Sequence, residues 1–125
     1  MARSQALIVI AAATLVAGCR AGLYFDIGPR DDPPSVSLAA SPAEASRGDT
    51  IALVAAASDD YRVAEVAFYR VDLGGNTLLG RDTSAPYALT TLLPSGATAV
   101  VRYLARAIDD AGQMGESPMV AVAVR

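Results

Sequence analysis

Short apolar segments alternate with groups of turn-forming residues along the chain from Ser35 onward. Within these segments the apolar side chains recur at every second position, as Ile51 and Leu53 do. A period of two places alternate side chains on one face of a β-strand, and that face is expected to be buried. We expect Phe68 and Tyr103 to lie in the core. The pattern predicts strands near residues 35–40, 49–58, 63–71, 77–83, 86–92, 99–108 and 116–124.

The segments between these strands carry turn chemistry, because Gly permits a positive φ and Asp or Asn side chains hydrogen-bond the local backbone. The clearest turns are Arg47-Gly48-Asp49, Gly74-Gly75-Asn76, Pro94-Ser95-Gly96 and Asp110-Ala111-Gly112. Alanine-rich runs could also form helices, but the flanking Gly and Pro and the β-branched residues favour strands. Seven strands in about ninety residues match the size of an immunoglobulin-type sandwich. The predicted fold class is therefore all-β, a seven-stranded Greek-key sandwich over residues 35–125.

The N-terminal segment has the layout of a secretory signal peptide. A polar start that contains Arg3 precedes an apolar stretch, residues 6–17, in which Thr14 is the only polar residue. A membrane-spanning helix needs roughly 20 apolar residues, so this stretch is too short for a comfortable span. We therefore predict a cleavable, helical signal peptide over residues 1–18 and an exported protein.

The leader ends in Val16-Ala17-Gly18-Cys19, which resembles the bacterial lipobox of an aliphatic residue, two small residues and a cysteine. The resemblance implies cleavage between Gly18 and Cys19, acylation of Cys19, and attachment to a membrane through that N-terminal lipid. The alternative is an ordinary secretory leader with an incidental cysteine. Arg20 stands where an Asp would favour the inner membrane in enteric-type sorting, so the resemblance favours the outer membrane or the cell surface.

Residues 19–34 are predicted to form a tether between the lipid and the sandwich. Gly28-Pro29 and Pro33-Pro34 favour an extended spacer over a helix. The segment Leu23-Tyr24-Phe25 is bulky and apolar for such a spacer. It either dips into the head-group region of a membrane or folds back on the sandwich, and the sequence leaves both possibilities open.

The composition excludes several classes of function. The chain has no His, and its ten positive charges are all Arg, with a net charge of −3 and no run of basic residues. A nucleic-acid partner is therefore not expected, because a phosphate backbone requires a clustered basic face. Without His there is no Ser-His-Asp or Cys-His arrangement and no imidazole ligand for a metal. We predict that the protein is not an enzyme and has no cofactor.

Several segments resemble a known family in the correct order along the chain. They are similar to segments of a bacterial Ig-like domain: Pro34–Leu38, Gly48–Leu53, Ala57–Asp60, Val63–Tyr69, Leu79–Tyr87 and Ala107–Gly112. The resemblance implies a spacer or interaction module of surface proteins and secreted glycosidases, with an unknown envelope protein or glycan as partner. An alternative is an adhesion module that binds carbohydrate or protein through its loops. Two features depart from the family: the turn Val71–Asn76 is longer than its tight turn, and Val101 replaces a frequent Tyr.

Three tyrosines are candidates for a ligand surface, because exposed planar rings bind sugars and proteins. Tyr61, Tyr69 and Tyr87 are each expected to be partly exposed. The alternative is that each packs at the edge of the core and makes one hydrogen bond. An aligned patch would favour binding, whereas scattered rings would favour a spacer.

Paired aspartates suggest a possible calcium site. In a sandwich of this type, three segments that carry them meet at one end, and calcium takes six to eight oxygen ligands in loose geometry. The alternative is local turn chemistry, in which each Asp bonds the nearby backbone. The candidate ligands are Asp31, Asp32, Asp59, Asp60, Asp109 and Asp110.

Overall fold

The computed structural model describes residues 32–125, so the predicted signal peptide, Cys19 and the predicted tether up to Asp31 lie outside the described residues. No helix occurs between Asp32 and Arg125. In that range there is also no helix long and apolar enough to cross a membrane. The described residues form nine strands: β1 (Ser35–Ser41), β2 (Glu44–Ala45), β3 (Thr50–Ser58), β4 (Val63–Asp72), β5 (Gly75–Asp82), β6 (Tyr87–Leu92), β7 (Val100–Asp109), β8 (Met114–Glu116) and β9 (Val120–Val124).

The strands form two facing sheets. One sheet has the order β1-β3-β6, and the other has the order β2-β9-β7-β4-β5, with β8 paired to β7. The chain passes from one sheet to the other at five places: between β1 and β2, β2 and β3, β3 and β4, β5 and β6, and β6 and β7. All pairings are antiparallel except that of the two-residue strand β2 with β9. The predicted Greek-key sandwich is confirmed.

Six of the seven predicted strands are confirmed with ends within two residues, but the seventh, residues 116–124, is wrong. It is replaced by β8 and β9, which are separated at Ser117-Pro118-Met119. Pro118 has no backbone N–H and cannot donate to the sheet. Ser117 takes over the pairing at this point: its amide donates to the carbonyl of Ala105 at 2.8 Å, and its Oγ accepts from the Ala105 amide at 3.0 Å.

The turn between β4 and β5 is also tighter than predicted. Asp72 pairs with Gly75, which leaves Leu73 and Gly74 as a two-residue loop. Gly75 has a φ of 137°, which a residue with a side chain rarely adopts. Residues assigned to a long turn from the sequence therefore belong to the strands, and Asp72 becomes a strand residue on the same face as Arg70.

The core lies between the two sheets and is apolar. Phe68 and Tyr103 are both completely buried, as predicted. Tyr87, in contrast, is only 8% exposed, so its predicted partial exposure is wrong. Tyr87 pairs with the buried Ala55 of β3, and directly opposite residues of two strands share a face.

The two ends of the sandwich differ in the loops they carry. The chain enters β1 at the entry end. This end contains the β3–β4 loop (59–62), because Ser35 pairs with Ser58 at the end of β3. It also contains the β7–β8 turn (110–113), because Val63 pairs with Asp109 at the end of β7. The far end contains the β4–β5 turn (73–74) and the β6–β7 loop (93–99). The far end also holds the β2–β3 turn, since the amide of Gly48 donates to the carbonyl of Leu93 at 2.8 Å.

Candidate functional site

The aspartates of the β3–β4 loop hold their own turn and the start of the chain. Asp59 Oδ2 accepts from the amides of Tyr61 at 3.3 Å and Arg62 at 3.2 Å. Asp60 Oδ2 accepts from the amide of Asp32 at 3.0 Å. The structure thus brings Asp32 and Asp60 together through a backbone hydrogen bond that requires no metal ion.

The β7–β8 turn uses its first aspartate in the same way. Asp109 is buried, and its Oδ1 accepts from the amides of Ala111 at 2.9 Å and Gln113 at 2.8 Å. Asp109 Oδ2 and Asp59 Oδ1 are buried without a hydrogen-bond partner in residues 32–125. Asp110 is exposed and Asp31 lies outside the described residues. Nowhere in residues 32–125 do three acidic side chains approach closely enough to hold a metal ion, so the predicted calcium cluster does not form there.

The three candidate tyrosines do not form one surface. Tyr61 is 62% exposed in the β3–β4 loop at the entry end. Tyr69 lies on the outer face of β4 beneath a guanidinium group, with Arg106 Cζ 4.9 Å from its ring centroid. Tyr87 belongs to the core, as described above. An aligned aromatic patch is therefore absent from this set of residues.

The far end contains a polar group of side chains that was not singled out from the sequence. Arg70 donates through Nε to Asp72 Oδ1 at 2.8 Å and through Nη2 to Asp72 Oδ2 at 3.2 Å. The hydroxyl of Thr77 on β5 also donates to Asp72 Oδ2. Hydrogen bonds from Arg70 and then from Thr77 lower the pKa of the Asp72 carboxyl below its ordinary value. The same ion pair raises the pKa of Arg70, so both groups are charged at neutral pH.

A buried hydroxyl lies beside this ion pair. Tyr103 pairs with Arg70 across β7 and β4, so the two side chains are on the same, inward face. The hydroxyl of Tyr103 is buried and has no hydrogen-bond partner within residues 32–125. Burial raises the pKa of Tyr103, so the phenol is neutral. A buried polar atom without a partner is uncommon in proteins.

A cleft of about 520 Å³ opens at the far end. Its walls come from the end of β4, the β6–β7 loop and the start of β7. It contains both members of the Arg70–Asp72 pair, and its rim includes Leu73, which is fully exposed at the tip of the β4–β5 turn. A second, shallower depression of about 360 Å³ lies along β1 and β3 and is lined only by Ser, Val and Ala side chains.

Comparison with known proteins identifies the family. Residues 34–101, which are more than half of the chain, match the sequence profile of the bacterial Ig domain. The chain belongs to the bacterial Ig domain family. Proteins with this domain are surface or secreted proteins, and the domains themselves are typically non-catalytic modules. The family resemblance inferred from the sequence is thereby confirmed.

Solved structures resemble this Ig domain in fold. It is similar to the fibronectin(III)-like modules of CbhA from Clostridium thermocellum, with a TM-score of 0.59 and 29% identity, over 71% of this chain and 93% of that chain. It is also similar to pectate lyase Pel3 from Pectobacterium carotovorum, with a TM-score of 0.51 and 15% identity, over 75% of this chain but 27% of the lyase. The second likeness shows the fold alone. No curated protein shows a significant match.

The outer face of the larger sheet of the Ig domain is held by ion pairs. Arg106 contacts Glu116 at 2.5 Å and also covers Tyr69. A second pair joins Arg81 to Glu65 at 3.0 Å. These long side chains shield the buried Ala67, which lies on that outer face. Each of these pairs bridges two neighbouring strands.

The sequence contained a signal for the far-end group. Arg70 and Asp72 are two positions apart, and in a strand this spacing places both side chains on one face. The predicted strand ends at Val71 and is followed by a predicted long turn, Val71–Asn76. Asp72 is therefore not predicted to share a strand face with Arg70. Strand alternation from the buried Phe68 places Arg70 and Asp72 inward, towards the end of the core.

Proposed function

We propose that the protein is a bacterial lipoprotein, anchored through Cys19, that holds its Ig domain on the outer membrane or cell surface as a structural or interaction module. The observation that carries the proposal is the position of Cys19. It is the only cysteine of the chain and closes the lipobox-like segment Val16–Cys19 directly after an apolar leader. A chance cysteine would have no reason to stand at that one position.

The physical properties of the chain fit such an anchor. One acyl chain gives only marginal membrane binding, whereas two or more hold a protein stably. Loss of residues 1–18 removes Arg3 and leaves nine Arg against thirteen Asp and Glu, a net charge of −4. Anionic lipids would not recruit such a domain by charge, so the lipid must supply the attachment. Residues 19–34, if extended, reach at most about 55 Å and let the domain stand clear of the surface.

Lipid attachment can be tested directly. Cys19→Ser should abolish incorporation of labelled palmitate and move the protein from the detergent phase to the aqueous phase, because no thiol remains to be acylated. Ala21→Ser is a matched control, since it adds the same hydroxyl two residues away and leaves the lipobox-like segment intact. The mass of the mature N-terminus would reveal cleavage before Cys19. Palmitate incorporation that persists in the Cys19→Ser protein would contradict the proposal.

A second candidate function is adhesion, and the far-end cleft favours it. The chain enters the Ig domain at the entry end, and the cleft lies at the opposite end of the same sandwich. A spacer needs no cleft with a charged pair inside it. In an adhesion module such a cleft can hold a ligand, and a site opposite the point of attachment is accessible to a partner.

A further inference from the structure

The far-end cleft contains an arginine that is held in place. Arg70 lines the cleft and is fixed by two hydrogen bonds to Asp72, while its side chain stays 29% exposed. An arginine that is fixed in this way can bind a polar ligand with a small cost for ordering the side chain.

The charge around the cleft favours an anion. The lining contains Arg70 and Arg102 against the single carboxylate of Asp72. Arg47 lies beside the lining, since its Nε donates to the carbonyl of Ala97, and the carboxylate of Asp49 in the same turn balances its charge. The protein as a whole has a net charge of −3, so this local excess of positive charge is opposite to the average.

The size and remaining chemistry of the cleft favour a sugar over a simple ion. A volume of about 520 Å³ is far larger than an ion requires and lies in the range of small-molecule sites. Asp72 can accept hydrogen bonds from hydroxyl groups, which a simple anion lacks. Leu73 and Val100 on the rim offer apolar contact to the C–H face of a sugar ring. A sugar acid combines a carboxylate, hydroxyls and such a face in one molecule.

We infer that the far-end cleft binds a carboxylate-bearing sugar residue of an acidic glycan, with the carboxylate on Arg70 and ring hydroxyls on Asp72. The inference rests on the proposed function of an interaction module and names its site and class of ligand. It does not depend on the lipid, because the cleft is formed entirely by residues 70–102.

The test uses the leaderless protein, residues 20–125, whose core strands all lie between Ser35 and Val124. Amide signals of the ¹⁵N-labelled protein are followed during titration with D-galacturonate, with D-galactose, and with acetate at equal ionic strength. Saturable shifts are expected at Leu73, Gly96 and Thr98 with galacturonate alone. Equal shifts with acetate would show an anion site, and equal shifts with galactose would show that the carboxylate is not recognised; either result, or no shift, overturns the inference.

Variants locate the site. Arg70→Gln should weaken galacturonate binding by about tenfold or more, since it removes a charge-assisted contact. Arg81→Gln changes the net charge by the same amount but on the outer face, so it should leave binding unchanged. Leu73→Glu places a carboxylate on an exposed rim position without disturbing the core, and it should weaken binding even if Arg70→Gln fails to fold. Equal loss in Arg81→Gln would indicate only general charge attraction. Cys19 labelling is measured separately, so failure of the anchor and failure of the cleft are distinguishable.

Discussion

Ser117→Ala should destabilise the Ig domain more than any other removal of a single serine hydroxyl in the described residues. The Ser117 Oγ accepts from the Ala105 amide at 3.0 Å and lies 2.8 Å from the carbonyl of Pro118, to which it donates. Ser117 and Ala105 are both buried. With alanine at 117, the Ala105 amide in the centre of β7 would lose its only acceptor and could not reach water.

The magnitude follows from the cost of a buried, unsatisfied amide. Leaving such a donor without an acceptor costs about 1–3 kcal/mol. In a domain of this size, each kcal/mol lowers the melting temperature by about 4–8 °C, so a loss of about 5–15 °C is expected. Ser35→Ala provides the matched control, because the Ser35 Oγ contacts the Ser58 Oγ at 2.9 Å in an exposed position. Exposed changes of that kind cost less than about 0.5 kcal/mol.

Thermal unfolding of residues 20–125 followed by circular dichroism would measure both variants. Hydrogen exchange adds a local measurement, since the Ala105 amide should exchange faster in Ser117→Ala than in the parent, while amides of β4 change less. A melting temperature equal to that of Ser35→Ala, together with unchanged protection of Ala105, would refute the reasoning. That outcome would mean that the sheet can close around Pro118 without the serine.

Two further predictions concern the charged groups. The folded pKa of Asp72 lies below its ordinary value near 3.8. The stability that its charged form contributes is therefore present above that value and is lost as the pH falls through the folded pKa. Asp72→Asn should lose stability at pH 7, and its stability should depend less on pH below about 4. Millimolar calcium should leave the melting temperature of residues 20–125 unchanged, because Asp59, Asp60 and Asp109 bind backbone amides; a calcium-dependent rise measured by calorimetry would restore the calcium site.

The alternation of apolar residues determined most of the fold. A period of two needs no knowledge of neighbouring strands, because each side chain of a strand points to one face or the other. The six confirmed strands and the buried positions of Phe68 and Tyr103 follow from that rule. The family could be identified in the same way, because turn residues such as Gly48 and Gly112 mark fixed places in the sandwich, and both have a positive φ.

The tertiary structure decided which edges and ends of those strands are enclosed. Tyr87 is buried because β6 pairs with β3 and faces the opposite sheet, and its own segment gives no sign of that partner. Asp59 and Asp109 lie at the same end of the sandwich, but each accepts hydrogen bonds from backbone amides of its own turn. Those amides satisfy the carboxylates without a shared ion. Arg70 and Asp72 lie in a cleft because the β6–β7 loop closes over the end of β4. Burial of this kind depends on residues distant in sequence, which local alternation cannot specify.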